Sequence, residues 1–91
     1  MATGAHVVDV RETDEFETAR IPGVTLIPLS EFESRVDEIP KDTTTYFVCA
    51  KGGRSLKAAE FAKATLGIDA INVAGGTSGW LAAGKPYETG R

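Results

Sequence analysis

Six consecutive residues, Cys49-Ala50-Lys51-Gly52-Gly53-Arg54, bring together the residue types needed to make and use a thiolate. Two adjacent glycines let successive backbone N–H groups turn inward and form a concave nest with partial positive charge. Lys51 and Arg54 add full positive charges, and a helix opening after the loop adds the positive end of its dipole. All three influences favour the anionic form of Cys49, which is the nucleophilic form. The same donors would hold an anionic substrate or the charge that builds on a departing sulfur. Cys49 is therefore the candidate catalytic residue, and Ala50, Lys51, Gly52, Gly53 and Arg54 are the candidate substrate-binding residues.

A cysteine at a strand end is often only a small buried hydrophobe. Such a residue gains nothing from two glycines, a lysine and an arginine directly after it. Arg54, in the first helical turn, opposes the dipole of its own helix unless it serves an anion, and a local conflict of that kind marks functional sites.

The rest of the composition narrows the chemistry. Cys49 is the only cysteine and His6 the only histidine, which rules out an internal disulfide and a Cys/His zinc cluster. His6, close to the terminus, reads as an exposed bystander, so Ser-His-Asp and Cys-His mechanisms are not indicated. With 91 residues, 42% hydrophobic and 25% charged, the chain is sized for one ordinary globular domain. Ten basic against thirteen acidic residues leave a net charge of −3, which argues against a general nucleic-acid or anionic-membrane surface. No apolar run reaches the roughly 18–20 residues of a membrane span, and the first residues lack the basic and apolar regions of a secretory signal. A soluble, monomeric protein of the reducing cytoplasm is expected.

Elements that could position the loop follow from patterning. Residues 7–10 form a β-branched run, and Thr13 with acidic residues after it opens a short helix. Ile21-Pro22-Gly23 ends that helix, and residues 24–28 have strand composition. Ser30 is expected to cap a helix whose Phe32, Val36 and Ile39 share a face and which stops at Pro40. Residues 43–48 carry the strongest strand signal, ending in an apolar run expected to be covered on both faces. A helix over 55–66, with Leu56, Ala59, Ala62 and Leu66 inward and Gly67 as C-cap, leads to a strand over 70–73 and a last helix over 77–83. Strands alternating with helices predict an α/β fold, a mainly parallel sheet with helices on both faces. In such sheets ligands bind beyond the carboxyl ends of the strands, where Cys49 lies.

Cys49-Ala50-Lys51-Gly52-Gly53-Arg54-Ser55 resembles the active loop of the rhodanese-like sulfurtransferases. Val8-Asp9-Val10-Arg11-Glu12, with Glu15-Phe16 and Ile21-Pro22-Gly23, is similar to that family's first signature. The run from Asn72 through Gly75-Gly76 to Trp80, with Gly84-Lys85-Pro86, is similar to its second. The resemblance spans residues 7–86, read as a single rhodanese-like domain between an N-terminal tail, 1–6, and a C-terminal tail, 87–91. It implies a three-layer fold and a cysteine that takes a sulfane sulfur from a donor such as thiosulfate, becomes a persulfide, and passes the sulfur to cyanide, a thiol or a protein acceptor. It implies no metal and no organic cofactor.

The sequence departs from the family pattern in places. Only six residues precede Val7, where the family usually has a further strand and helix, and Ala19-Arg20 stand where it shows glycine and histidine. No catalytic role is assigned there. Asp9 and Arg11 read as a structural pair beneath the loop and Trp80 as a core anchor. Two other functions compete: a cysteine-dependent phosphatase or arsenate reductase, whose loops carry one more residue, and a redox-sensing, partner-binding module.

Overall fold

The short β-branched and aromatic runs of this chain pair side by side, and each crossover between them is long enough to hold a helix. The computed structural model describes residues 6–41 and 44–90. In chain order the elements are β1 (His6–Asp9), α1 (Thr13–Thr18), β2 (Thr25–Leu26), α2 (Phe32–Arg35), β3 (Thr45–Val48), α3 (Gly53–Leu66), β4 (Ala70–Asn72) and α4 (Gly76–Ala82). Turns of 3-10 helix, Leu29–Glu31 and Val36–Glu38, flank α2. The four strands form one all-parallel sheet in the order β2-β1-β3-β4. The chain winds outward from β1 to β2 on one side and from β3 to β4 on the other. The reversal puts a topological switch point at the carboxyl ends of β1 and β3, the place where parallel sheets hold ligands.

Register sets which side chains meet. Val8 of β1 stands beside Phe47 of β3, and Phe47 beside Asn72 of β4, so these three share a face. Phe47 meets Phe32 edge-on at 5.8 Å between centroids, and Phe32 meets Phe61 at 6.0 Å. Val10, Ile27, Val36, Ile39, Ala58, Ala59 and Ala62 complete this core between the sheet, α2 and α3. Phe47 and Val48 are both fully buried although they point to opposite faces, as the central-strand reading requires.

Several expected boundaries move. β1 begins at His6, which the sequence reading placed in the tail, while residues 1–5 of that tail lie outside the described residues. β2 is confined to Thr25–Leu26, and Thr43 also lies outside the described residues. Ser30 is not a helix cap: Pro28 holds that position for the 3-10 turn and Glu31 for α2, and the Ser30 hydroxyl donates to a Glu12 carboxylate oxygen at 2.9 Å, a stronger charged acceptor. Phe32, Val36 and Ile39 are buried as expected, on a segment broken into short turns.

α3 starts at Gly53, earlier than the expected Ser55, and its buried stripe is Ser55, Ala58, Ala59 and Ala62. Leu56, expected inward, is 48% exposed. Small side chains on that stripe let the helix lie close on β3 and β4, and the closeness carries Ser55 to the end of β3. Trp80 is half-buried rather than a core anchor; its indole N–H donates to Pro86 O at 2.5 Å, with Lys85 over the ring at 5.3 Å. An indole that donates outward pins the chain leaving α4 instead of filling the core. Over the expected C-terminal tail, Arg20 and Glu88 exchange backbone hydrogen bonds of 2.9 Å and Gly90 N donates to Glu17 O at 2.7 Å; Arg91 is outside the described residues.

Candidate functional site

Cys49 follows the last residue of β3 and is 1% exposed. The chain then turns sharply, with Gly52 at φ 109°, a left-handed conformation that suits glycine and lets α3 begin at the next residue. Two groups donate to the sulfur: Gly52 N–H at 3.0 Å and the Ser55 hydroxyl at 3.3 Å. Burial pushes the Cys49 thiol up. The Ser55 hydroxyl and the backbone N–H groups of Ser55, Gly52 and Lys51 outweigh burial and hold the thiol below its ordinary value.

The loop's peptides are oriented from the outside by α4. Thr77 N–H donates to Cys49 O at 2.8 Å and Ser78 N–H to Ala50 O at 2.9 Å. These bonds turn the carbonyls toward α4 and leave the N–H groups of the following peptides for the sulfur. The approach is so close that a Cβ on Gly76, at φ 54°, would sit 2.2 Å from Cys49 O. Gly75-Gly76 is thus half of the same site.

Arg54 is partly exposed but already paired. Its Nη1 and Nη2 donate to the two carboxylate oxygens of Glu15 at 2.7 and 2.9 Å. The Arg54 guanidinium holds the Glu15 carboxyl down to about 2 against the opposing effect of burial, helped by the Glu12 backbone N–H and by the charge of Arg11. Glu15 in turn pushes the Arg54 pKa up. Of the groups expected to favour the thiolate, the loop N–H groups reach the sulfur and are joined there by Ser55, while Arg54 is turned to Glu15. Lys51 is exposed, Ala50 half-buried, and Gly53 exposed at the first position of α3.

Beneath the loop, Asp9 accepts hydrogen bonds from Arg11 N, Nε and Nη2 at 2.9, 3.1 and 2.8 Å. Arg11 also donates to Glu15 O at 3.3 Å and Ala19 O at 2.7 Å, tying the end of β1 to α1. Both side chains are buried, in keeping with the structural reading of the pair. Their effect on the site runs through α1, which carries Glu15.

Two site residues escape a reading by loop motif alone. Glu15 is far from the loop in sequence, and Asn72, which accepts from the Ser55 hydroxyl at 2.5 Å, belongs to another strand. Ser55 had a local signal: at helical spacing it lies on the face of Ala59 and Ala62, and a hydroxyl on an otherwise apolar stripe asks for a partner.

Two clefts flank the site. One, of about 280 Å³, is lined by Arg11, Asp14, Glu15, Thr18, Ala19 and Leu81. The other, of about 260 Å³, lies between α2 and α3 and is lined by Leu29, Phe32, Glu33, Lys57, Ala58 and Phe61. Cys49 lines neither. Among the described residues no group of three or more His, Cys, Asp or Glu side chains is placed to hold a metal ion, and no helix is long and apolar enough to cross a membrane.

Comparison with known proteins agrees with this geometry. The family model for the rhodanese-like domain matches residues 1–83. YrkF of Bacillus subtilis is 41% identical over 75 residues, which are 82% of this chain; the chain spans 40% of the length of that relative. A protein of Allochromatium vinosum named sulfurtransferase is 30% identical over 80 residues, 88% of this chain and 75% of its own. The crystal structure of a rhodanese-like domain protein from Staphylococcus aureus superposes with a TM-score of 0.86 at 35% identity, covering 99% of this chain and 85% of that one. A parallel sheet ending in a cysteine loop, closed by a glycine-led helix and matched along nearly its whole length, makes this chain a member of the rhodanese-like domain family.

Proposed function

We propose that the domain formed by residues 7–86 is a sulfurtransferase that carries a sulfane sulfur on Cys49. The observation that supports this most is the donor set at the sulfur: Gly52 N–H at 3.0 Å and Ser55 Oγ–H at 3.3 Å, with the thiol held below its ordinary value. In the first half-reaction the thiolate attacks the outer sulfur of a donor. One S–S bond forms, the donor's S–S bond breaks, and its electron pair leaves on the released anion, sulfite when the donor is thiosulfate. Cys49 then holds an anionic persulfide, which meets the same N–H and hydroxyl donors. In the second half an acceptor nucleophile, cyanide or a thiol, takes the outer sulfur and Cys49 leaves as the thiolate. No general base is required at the sulfur, since its donors favour the thiolate that attacks.

The length of the loop weighs against the phosphatase reading. Cys49 to Arg54 is one residue shorter than the loop that the family resemblance implies for those enzymes, and a transferring phosphoryl group needs donors spread over its three equatorial oxygens. The small-molecule donor and the acceptor, whether thiol or protein, are met at the carboxyl ends of β1 and β3, without metal or organic cofactor.

Intact mass decides the reading. Mixing with thiosulfate should add one sulfur atom to the protein, and cyanide or a thiol should then remove it. A parent protein that gains no sulfur from thiosulfate or from a low-molecular-weight persulfide, yet hydrolyses an aryl phosphate, overturns the assignment.

A further inference from the structure

Ser55 Oγ has a single proton and two neighbours that call for it. Oγ lies 3.3 Å from Cys49 Sγ and 2.5 Å from Asn72 Oδ1, and Ser55 is fully buried. Without solvent at hand, the direction of that proton depends on the charge of the sulfur. A neutral thiol is a donor: S–H points to Oγ, and Oγ–H is left for Asn72 Oδ1. A thiolate only accepts, so Ser55 must turn its proton to sulfur. A lone pair of Oγ then faces Asn72, and a carbonyl oxygen opposite it would repel.

A carboxamide resolves the conflict because it carries an acceptor at one end and donors at the other. With Nδ2 toward Oγ, the chain Nδ2–H to Oγ and Oγ–H to Sγ is complete. With Oδ1 toward Oγ, the reverse chain is complete. Gly52 leaves the space for such a turn, since no side chain stands at the position where its Cβ would lie 3.6 Å from Asn72 Nδ2.

Resting on the sulfur-transfer reading, we propose that Asn72 is a positioning residue whose side-chain amide reverses with the charge on Cys49, making Ser55 an acceptor for the thiol and a donor to the thiolate and the persulfide. The charged groups around the loop come in closed pairs, Arg54 with Glu15 of α1 and Arg11 with Asp9 of β1, apart from the exposed Lys51. The first turn of α4 and strand β4 bring no charged side chain. Ionisation of the sulfur is therefore the change of charge that the amide meets.

The sequence makes the test direct: Asn72 is the only asparagine and there is no glutamine, so one pair of side-chain amide signals, at one nitrogen shift, is present in the nitrogen-proton spectrum of labelled protein. Followed against pH in the parent, that pair should move with the midpoint at which ultraviolet absorbance reports the thiolate, and move again when a sulfane donor is added. In Ser55→Ala the thiol still titrates, while the movement of the amide signal should shrink by more than half. Asn72→Asp, which can only accept, should keep the proton of Ser55 from the sulfur and raise the thiol midpoint by about one unit. Roughly tenfold slower sulfur uptake at neutral pH should accompany it, recovering as pH rises. An amide signal that stays still while the parent thiol ionises overturns the proposal. A parent that takes up no sulfur fails the transfer reading instead, and the titration still decides whether amide and sulfur are coupled.

Discussion

Glu15 and Arg54, 39 positions apart in the chain, meet through two charge-assisted hydrogen bonds of 2.7 and 2.9 Å at the mouth of the cysteine loop. The pair joins α1 to the first turn of α3 and cancels the positive charge that the loop motif alone would present. Substrate choice should depend on that cancellation. Replacing Glu15 by Gln frees the guanidinium, so KM for thiosulfate should fall severalfold, with the gain fading at high salt and absent for a neutral donor. Steady-state kinetics at two ionic strengths measure this; an unchanged KM for the anionic donor would remove the cancellation argument.

The same pair gives a stability signature in acid. The Glu15 carboxyl lies at about 2 in the folded protein against an ordinary value of 4.5, so the folded state favours its ionised form. The stabilisation is fully present above about pH 4.5 and is lost as pH falls toward about 2. Partial exposure of both side chains limits it to about 1 kcal/mol. Urea midpoints recorded down this range should drop less steeply for Glu15→Gln than for the parent.

Cys49→Ser should fold with an unchanged spectrum and accept no sulfur, since no other thiol is present. Mass measurement after thiosulfate is the check, and transfer retained within a few-fold would refute the persulfide route.

Gly76→Ala addresses the outer half of the site. The added carbon would meet Cys49 O at 2.2 Å at a φ of 54°, so the loop or α4 must move. A loss of at least about 1–3 kcal/mol is expected from the backbone conformation alone. Chemical denaturation gives that figure. Gly79→Ala, where an added carbon meets nothing within 4 Å, serves as the control and should retain sulfur uptake.

Asp9→Asn tests the support beneath the loop. Asp9 is fully buried and takes up Arg11 through Nε and Nη2, so neutralising it leaves a guanidinium without its counter-charge. Removing one partner of such a pair costs about 3–5 kcal/mol. The melting temperature should fall sharply, by more than that of Glu15→Gln.

Much of this molecule is legible in its residue order. Alternating β-branched runs and helix-period stretches give the α/β class, because a strand period of two and a helix period near 3.6 are local properties. The chemistry of the loop is local as well: Cys49, Gly52, Gly53 and the start of α3 lie within a few residues, and glycine's freedom at φ 109° is what lets the Gly52 N–H point at the sulfur. What sequence order leaves open is pairing at a distance. Strand order, and with it the switch point between β1 and β3, depends on which hydrophobic faces bury each other. Arg54 reads as a free anion receptor until α1 brings Glu15 against it, and Ser55 reads as a hydroxyl on an apolar stripe whose partner is named only when the sheet sets Asn72 beside it. Charge cancellation and the direction of a shared proton belong to no single segment. Both act over a few ångströms of space between residues far apart in the chain, so only the folded arrangement decides them.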